Sequence, residues 1–212
     1  MRLDEATKSD LIRDCVDQWE QEFGNDSIYG ECLETVRKVG LGNVANLTPT
    51  IKRFLYIWGR MGRVLGRLEY TNWEAKLKEQ IEYNFRELEE FRKMDLTTAP
   101  LENCETSIRT CYESLTKAVS PVATAKTLHL ICPNFFPLWD NPIANAVRKE
   151  RKSGKCKDFS SGDYYHFMLD VREFAVRYSR TLEDLAHQYE RSKLRILDEF
   201  LWWITHHTLS IF

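Results

Sequence analysis

Leu11, Ile12, Cys15, Val16 and Trp19 recur at three- and four-residue intervals among charged positions. That period predicts a helix over about residues 7–23, stopped by Gly24-Asn25. The same pattern predicts a second helix over 28–39, ended by Gly40. Thr48-Pro49, a cap hydroxyl followed by a proline suited to the first helical position, opens a third over 48–68. Thr71-Asn72-Trp73-Glu74 reads as a capping box opening a long fourth over 71–94. Thr97-Thr98-Ala99-Pro100 breaks the chain before a fifth over 101–119. Beyond it, shorter helices are expected at 124–131, from Asn141-Pro142 onward, and at 163–179, 182–189 and 193–205. Period-two alternation is scarce, so the fold class expected is all-α. The expected architecture is an irregular helical array in a single domain, with helical lobes at about 1–95 and 96–212 and a cleft between them.

Hydrophobic residues make up 43% and aromatic residues 12%, enough for a packed core and too many for a disordered chain. No apolar run reaches the ~18 residues of a membrane-spanning helix; Phe200-Leu201-Trp202-Trp203-Ile204 stops at Thr205-His206-His207. Met1-Arg2-Leu3-Asp4-Glu5 offers no apolar core for a signal peptide, which predicts a cytoplasmic or nucleoid-associated protein without a membrane partner. The cysteines at 15, 32, 104, 111, 132 and 156 form no C-x-x-C pair, so reduced thiols are expected and no metal site. The net charge of −2 does not by itself favour nucleic acid, but basic residues are concentrated locally.

Candidate chemistry centres on residues 119–147. A turn at Ser120-Pro121 feeds a helix that carries Lys126 near its start, where the partial positive charge of a helix N-terminus disfavours an ammonium. Asp140 follows Phe135-Phe136-Pro137-Leu138-Trp139, and a carboxylate there can stabilise a cationic sugar or take a proton. Each residue also has a plain reading, Lys126 as a solvated charge and Asp140 as the cap of a helix beginning at Asn141-Pro142. Phe135, Phe136 and Trp139 can sandwich a flipped base or fill a core, and His129 can contact a ligand or sit hydrogen-bonded in that core.

This stretch resembles the hairpin, lysine and aspartate region of the helix-hairpin-helix DNA glycosylase superfamily, in particular its 8-oxoguanine glycosylase/lyase members. The resemblance implies a two-lobed all-α fold, a Schiff-base lysine at Lys126 and a catalytic aspartate at Asp140. It implies action on a damaged purine with no cofactor. Ser120-Pro121-Val122-Ala123 replaces the usual hairpin glycines, and the interval from lysine to aspartate is shorter than is typical. The phrases Leu128-His129-Leu130, Phe136-Pro137-Leu138-Trp139-Asp140-Asn141 and Tyr164-Tyr165-His166-Phe167-Met168 also resemble uncharacterised helical proteins of bacteria and archaea, which imply no activity.

Two basic groups point to DNA as a partner. On a continuous helix over 48–68, Lys52, Arg53, Arg60, Arg63 and Arg67 fall in a sector of roughly 100° with no acid among them. Gly59, Gly62 and Gly66 on that helix allow close approach of a backbone or a phosphate. Arg148, Lys149, Arg151 and Lys152 form the second group. The alternative to a glycosylase/lyase is a helical domain that binds nucleic acid or protein without catalysis.

Overall fold

The computed structural model describes residues 5–24, 27–68, 72–150 (146–150 as backbone only) and 159–207. Among these the fold is all-α: twelve α-helices and no strand. In chain order they are α1 (Glu5–Phe23), α2 (Ser27–Val39), α3 (Val44–Arg53), α4 (Gly62–Gly66), α5 (Trp73–Tyr83) and α6 (Phe85–Phe91). The remainder are α7 (Leu101–Thr116), α8 (Pro121–Ile131), α9 (Asn141–Glu150), α10 (Ser161–Arg177), α11 (Ser179–Gln188) and α12 (Lys193–His206). No described helix is long and apolar enough to cross a membrane.

Three boundaries differ from the periodicity. The expected helix over 48–68 starts earlier and does not run through. Asn43 caps α3 by accepting from the Asn46 amide (3.3 Å), and Thr48 and Pro49 lie inside the helix. The helix then widens into a π turn at Phe54–Trp58 and stops at Gly59. Gly59 N donates to Phe54 O and Met61 N to Leu55 O, and Arg60 takes a left-handed φ of 52°. The expected helix over 71–94 is divided at Asn84. The buried Asn84 amide donates to Gln80 O and to the Ser114 hydroxyl, both at 2.7 Å, drawing hydrogen bonds to a side chain where the helix would continue. Its expected capping box is not formed as read: Asn72 has a left-handed φ and makes no side-chain cap, and Thr71 lies outside the described residues. Finally, α7 ends at Thr116 and α8 starts at Pro121, behind a Ser120 cap. Proline at the first helical position lengthens α8 on its N-terminal side, which places Lys126 in the second turn rather than the first.

One contiguous set of buried side chains extends from Ile12 to Ile204. It crosses the expected division at residue 95, where Leu96 N donates to Asn134 O. α1 packs on α12, α7 on both α8 and α10, and α9 on α12. α8 therefore lies in the interior, with α2 and the π turn against it, and its buried positions run from Ala123 to Ile131 with Lys126 as the exception.

Candidate functional site

Lys126 emerges from α8 into the seam against the π turn. Its Nζ donates to Gly59 O at 2.9 Å and stands 5.5 Å from the centre of the Trp58 ring. The carbonyl is presented by the local backbone. Gly59 closes the π turn so tightly that an added Cβ would lie 2.8 Å from Leu55 O. Burial pushes the Lys126 pKa below the ordinary lysine value. The charges of Arg195 and Arg60 act in the same direction, and those of Asp140 and Asp198 oppose it. The depression expected from a helix N-terminus thus has a different main cause, because the amine is in the second turn and is desolvated.

The Asp140 charge acts on the Lys126 amine, but the two form no ion pair; the amine's hydrogen bond is to Gly59 O. Asp140 is the cap of α9, with Oδ1 accepting from Ile143 N at 2.9 Å, as the plain reading of this residue expects. Two residues that periodicity did not single out complete the cluster. Arg195 on α12 is buried, with its guanidinium carbon 4.7 Å from the Trp19 ring centre and 5.0 Å from those of Tyr29 and Trp58. Its Nη1 donates to Asp198 Oδ2 at 2.5 Å, and its Nε lies 3.1 Å from Glu199 Oε1. Arg191 binds the other side, through Glu199 Oε1 (2.5 Å) and Glu20. Burial raises the Asp198 pKa to about 6 and that of Glu199 to about 7 despite these cations. A signal for α12 was in the sequence, an Arg-x-x-Asp-Glu run inside an otherwise apolar helix. Helical spacing alone could not say that this run faces inward.

His129, one turn after Lys126, is a core residue. Tyr29 Oη lies 2.8 Å from its Nε2, and Phe136 O lies 2.8 Å from its Nδ1. A carbonyl can only accept, so Nδ1 carries the proton and Nε2 accepts from the tyrosine. Burial lowers its pKa to about 3, which keeps the ring neutral. Phe135, Phe136 and Trp139 are also fully buried and pack ring against ring. Phe135 stacks on Phe91 at 4.6 Å, Phe136 meets Phe135 edge-on at 4.9 Å, and Trp139 meets Tyr164 at 5.3 Å. These four expected base-pocket residues are core in this structure. The aromatic surface beside the amine is Trp58, which is half-buried and stacked on Phe54 at 4.6 Å.

The expected one-signed stripe is broken by the π turn and partly neutralised by acids from other helices. Lys52 pairs with Glu74 at 2.7 Å and Arg53 with Glu31 at 2.6 Å. Arg60, Arg63 and Arg67 are exposed and pair with no carboxylate among the described residues. A Cβ at Gly62 would meet the Tyr56 ring at ordinary contact distance, and one at Gly66 would meet open space. Of the second basic group, Arg148 and Lys149 fall on α9 positions described by backbone alone, and Arg151 and Lys152 lie outside the described residues. The free thiols Cys15 and Cys111 are buried, with pKa values pushed up to about 11 and about 12. No group of three or more His, Cys, Asp or Glu among the described residues is placed to hold a metal.

No protein-family profile, curated protein or solved structure matches this chain in sequence or fold comparison.

Proposed function

We propose that this protein is a DNA glycosylase/AP-lyase-like enzyme acting on a damaged purine through a Schiff base on Lys126. The observation that carries the reading is the half-buried Lys126 amine, held on Gly59 O with its pKa lowered by burial, within the field of Asp140 and Asp198. A partly desolvated lysine at the edge of a basic surface is suited to attack an electrophilic sugar carbon. Lys126 attacks the deoxyribose C1′, and Asp140 supports the positive charge that builds on the sugar as the base departs. Trp58 sets an aromatic ring beside the amine. Arg60, Arg63 and Arg67 hold phosphates, with Arg60 close enough to Lys126 for its charge to act there.

Borohydride trapping tests this on duplexes carrying 8-oxoguanine, other damaged bases or abasic sites. The wild-type protein is expected to form a covalent adduct that Lys126→Gln does not form. Salt-sensitive DNA binding without an adduct on any duplex would remove the lyase. It would leave the second reading, a helical domain that binds a polyanion without catalysis, which the exposed arginines Arg60, Arg63 and Arg67 favour.

A further inference from the structure

A buried carbonyl needs a donor, and the one at Gly59 finds it far along the chain. The π turn takes its own bonds from the carbonyls before it: Gly59 N donates to Phe54 O at 2.8 Å and Met61 N to Leu55 O at 2.9 Å. The next backbone bonds begin at Met61 O, which accepts from Val64 N and Leu65 N. Gly59 is buried, and among the described residues no backbone amide donates to its oxygen. Lys126 Nζ does so at 2.9 Å, from a residue 67 positions away. The turn before Gly59 is held by other means: Trp58 stacks on Phe54, and the Arg195 guanidinium carbon lies 5.0 Å from the centre of the Trp58 ring. Past Gly59 the ties are few. Met61 and Leu65 are buried, α4 packs chiefly against the π turn, and Arg60, Arg63 and Arg67 are exposed.

We infer that Lys126 is also a positioning residue: its bond to Gly59 O latches the exit of the π turn and fixes where Arg60, Arg63 and Arg67 stand. In its consequence for DNA this rests on the phosphate contacts proposed above, which the lyase and the binding domain share. The latch joins α8, enclosed in the core, to a five-residue helix at the surface. A side chain with no N–H at position 126 leaves the Gly59 carbonyl without its donor. A buried acceptor in that state favours a rearranged turn that reaches water. Arg60 adds to the tendency, because its left-handed φ of 52° persists only where the surrounding structure holds it. Release therefore unties the arginines from the core, while the helices elsewhere keep their own bonds. Arginines set in one arrangement meet a row of phosphates at less entropic cost than arginines on a loose segment.

Two measurements on the full-length protein test the latch. The first is amide hydrogen exchange without DNA, on wild type and Lys126→Met. The amides of Gly59, Met61, Val64 and Leu65 are expected to exchange ~10-fold faster or more in the variant, with those of α7 and α10 unchanged. Unchanged exchange at these amides would overturn the latch. So would an equal acceleration in α7 and α10, which would make Lys126 an ordinary packing residue. Lys126→Arg keeps a charged N–H donor and is expected to restore protection; exchange as fast as in Lys126→Met would overturn the role of the bond. Should the methionine variant not fold, nuclear magnetic resonance of the wild type decides. A scalar coupling across the bond, from Lys126 Nζ to the Gly59 carbonyl carbon, is expected, and its absence with the ammonium signal in view would overturn the latch. The second measurement is affinity for an undamaged duplex. Lys126→Met is expected to weaken binding about 10-fold, but less than about 2-fold where Arg63 and Arg67 are already replaced by glutamine. Equal losses in the two backgrounds would overturn the link to the arginines. Absence of adduct from the wild type on every damaged duplex would sink the lyase reading alone, because neither measurement uses a reactive base or sugar.

Discussion

Residues 52–67 and residues 120–140 hold the groups on which the functional reading depends, and the fold treats the two stretches in opposite ways. In the first, residues that looked alike on a helical projection are separated. A π turn intervenes at Phe54–Trp58, and Glu31 and Glu74 from other helices neutralise Arg53 and Lys52 while Arg60, Arg63 and Arg67 stay exposed. In the second, residues fourteen apart with no common period come within each other's field, because α8 is enclosed and the chain after Cys132 turns back to cap α9 with Asp140. Periodicity describes one helix as if it were alone in water. It cannot anticipate an acid contributed by a neighbour, nor a return of the chain through an irregular segment.

The comparison can be sharpened first at the buried end of the second stretch. His129 has a folded-state pKa of about 3 against an ordinary 6.5, so its contribution to stability is complete above 6.5 and lost as the pH falls toward 3. Asp198 and Glu199 have raised values, so their contributions run the other way, complete at low pH and lost as the pH rises through about 6 and about 7. Urea unfolding of wild type and His129→Gln should separate these effects. The stability advantage of the wild type is expected to shrink by about 3 kcal/mol between pH 7 and pH 4. A constant gap would mean that the histidine is charged in the folded state.

A smaller effect is expected in the first stretch. Arg60 occupies a left-handed conformation that glycine adopts without strain, and its neighbour Gly59 does not relieve it. Arg60→Gly is expected to stabilise the protein by about 1 kcal/mol and to weaken DNA binding. Greater stability with unchanged affinity would show that the arginine is not there for a phosphate. The smallest effect distinguishes the arginines from one another. Arg63→Gln and Arg67→Gln should each lower the slope of log affinity against log salt by about 1, and Lys52→Gln and Arg53→Gln should lower it by less, since their charges are already shared with Glu74 and Glu31.

The fold class was legible throughout, because helices such as α1 and α2 bury one face of a regular apolar pattern. What was not legible was the point at which a helix gives way. Gly59 looked like one more glycine at a helix crossing, and it is in fact the end of the helix, set by hydrogen bonds that skip to Phe54 and Leu55. Half of the amine cluster was equally visible. Lys126 and Asp140 stand beside unusual turn and aromatic residues, whereas Arg195 and Asp198 lie in a helix whose spacing does not say which way its charges face. Phe135, Phe136 and Trp139 have the composition of a base pocket and of a core alike, and only their mutual stacking separates the two.

The packing of α1 on α11 and α12 has a consequence for how the surroundings of the amine come into being. Arg13 meets Asp184 of α11 at 2.7 Å, and in the turn before α12 Tyr189 donates to Asp17 at 2.5 Å and Arg191 meets Glu20, so residues made early wait for residues made late. The box around Arg195 is drawn from Trp19, Tyr29 and Trp58, which leave the ribosome long before Arg195 itself. Until α12 arrives, Lys126 lacks the Arg195 and Asp198 charges that act on it in the folded chain. A chain arrested before that point carries Lys126, Asp140 and Trp58 without the helix that completes their surroundings.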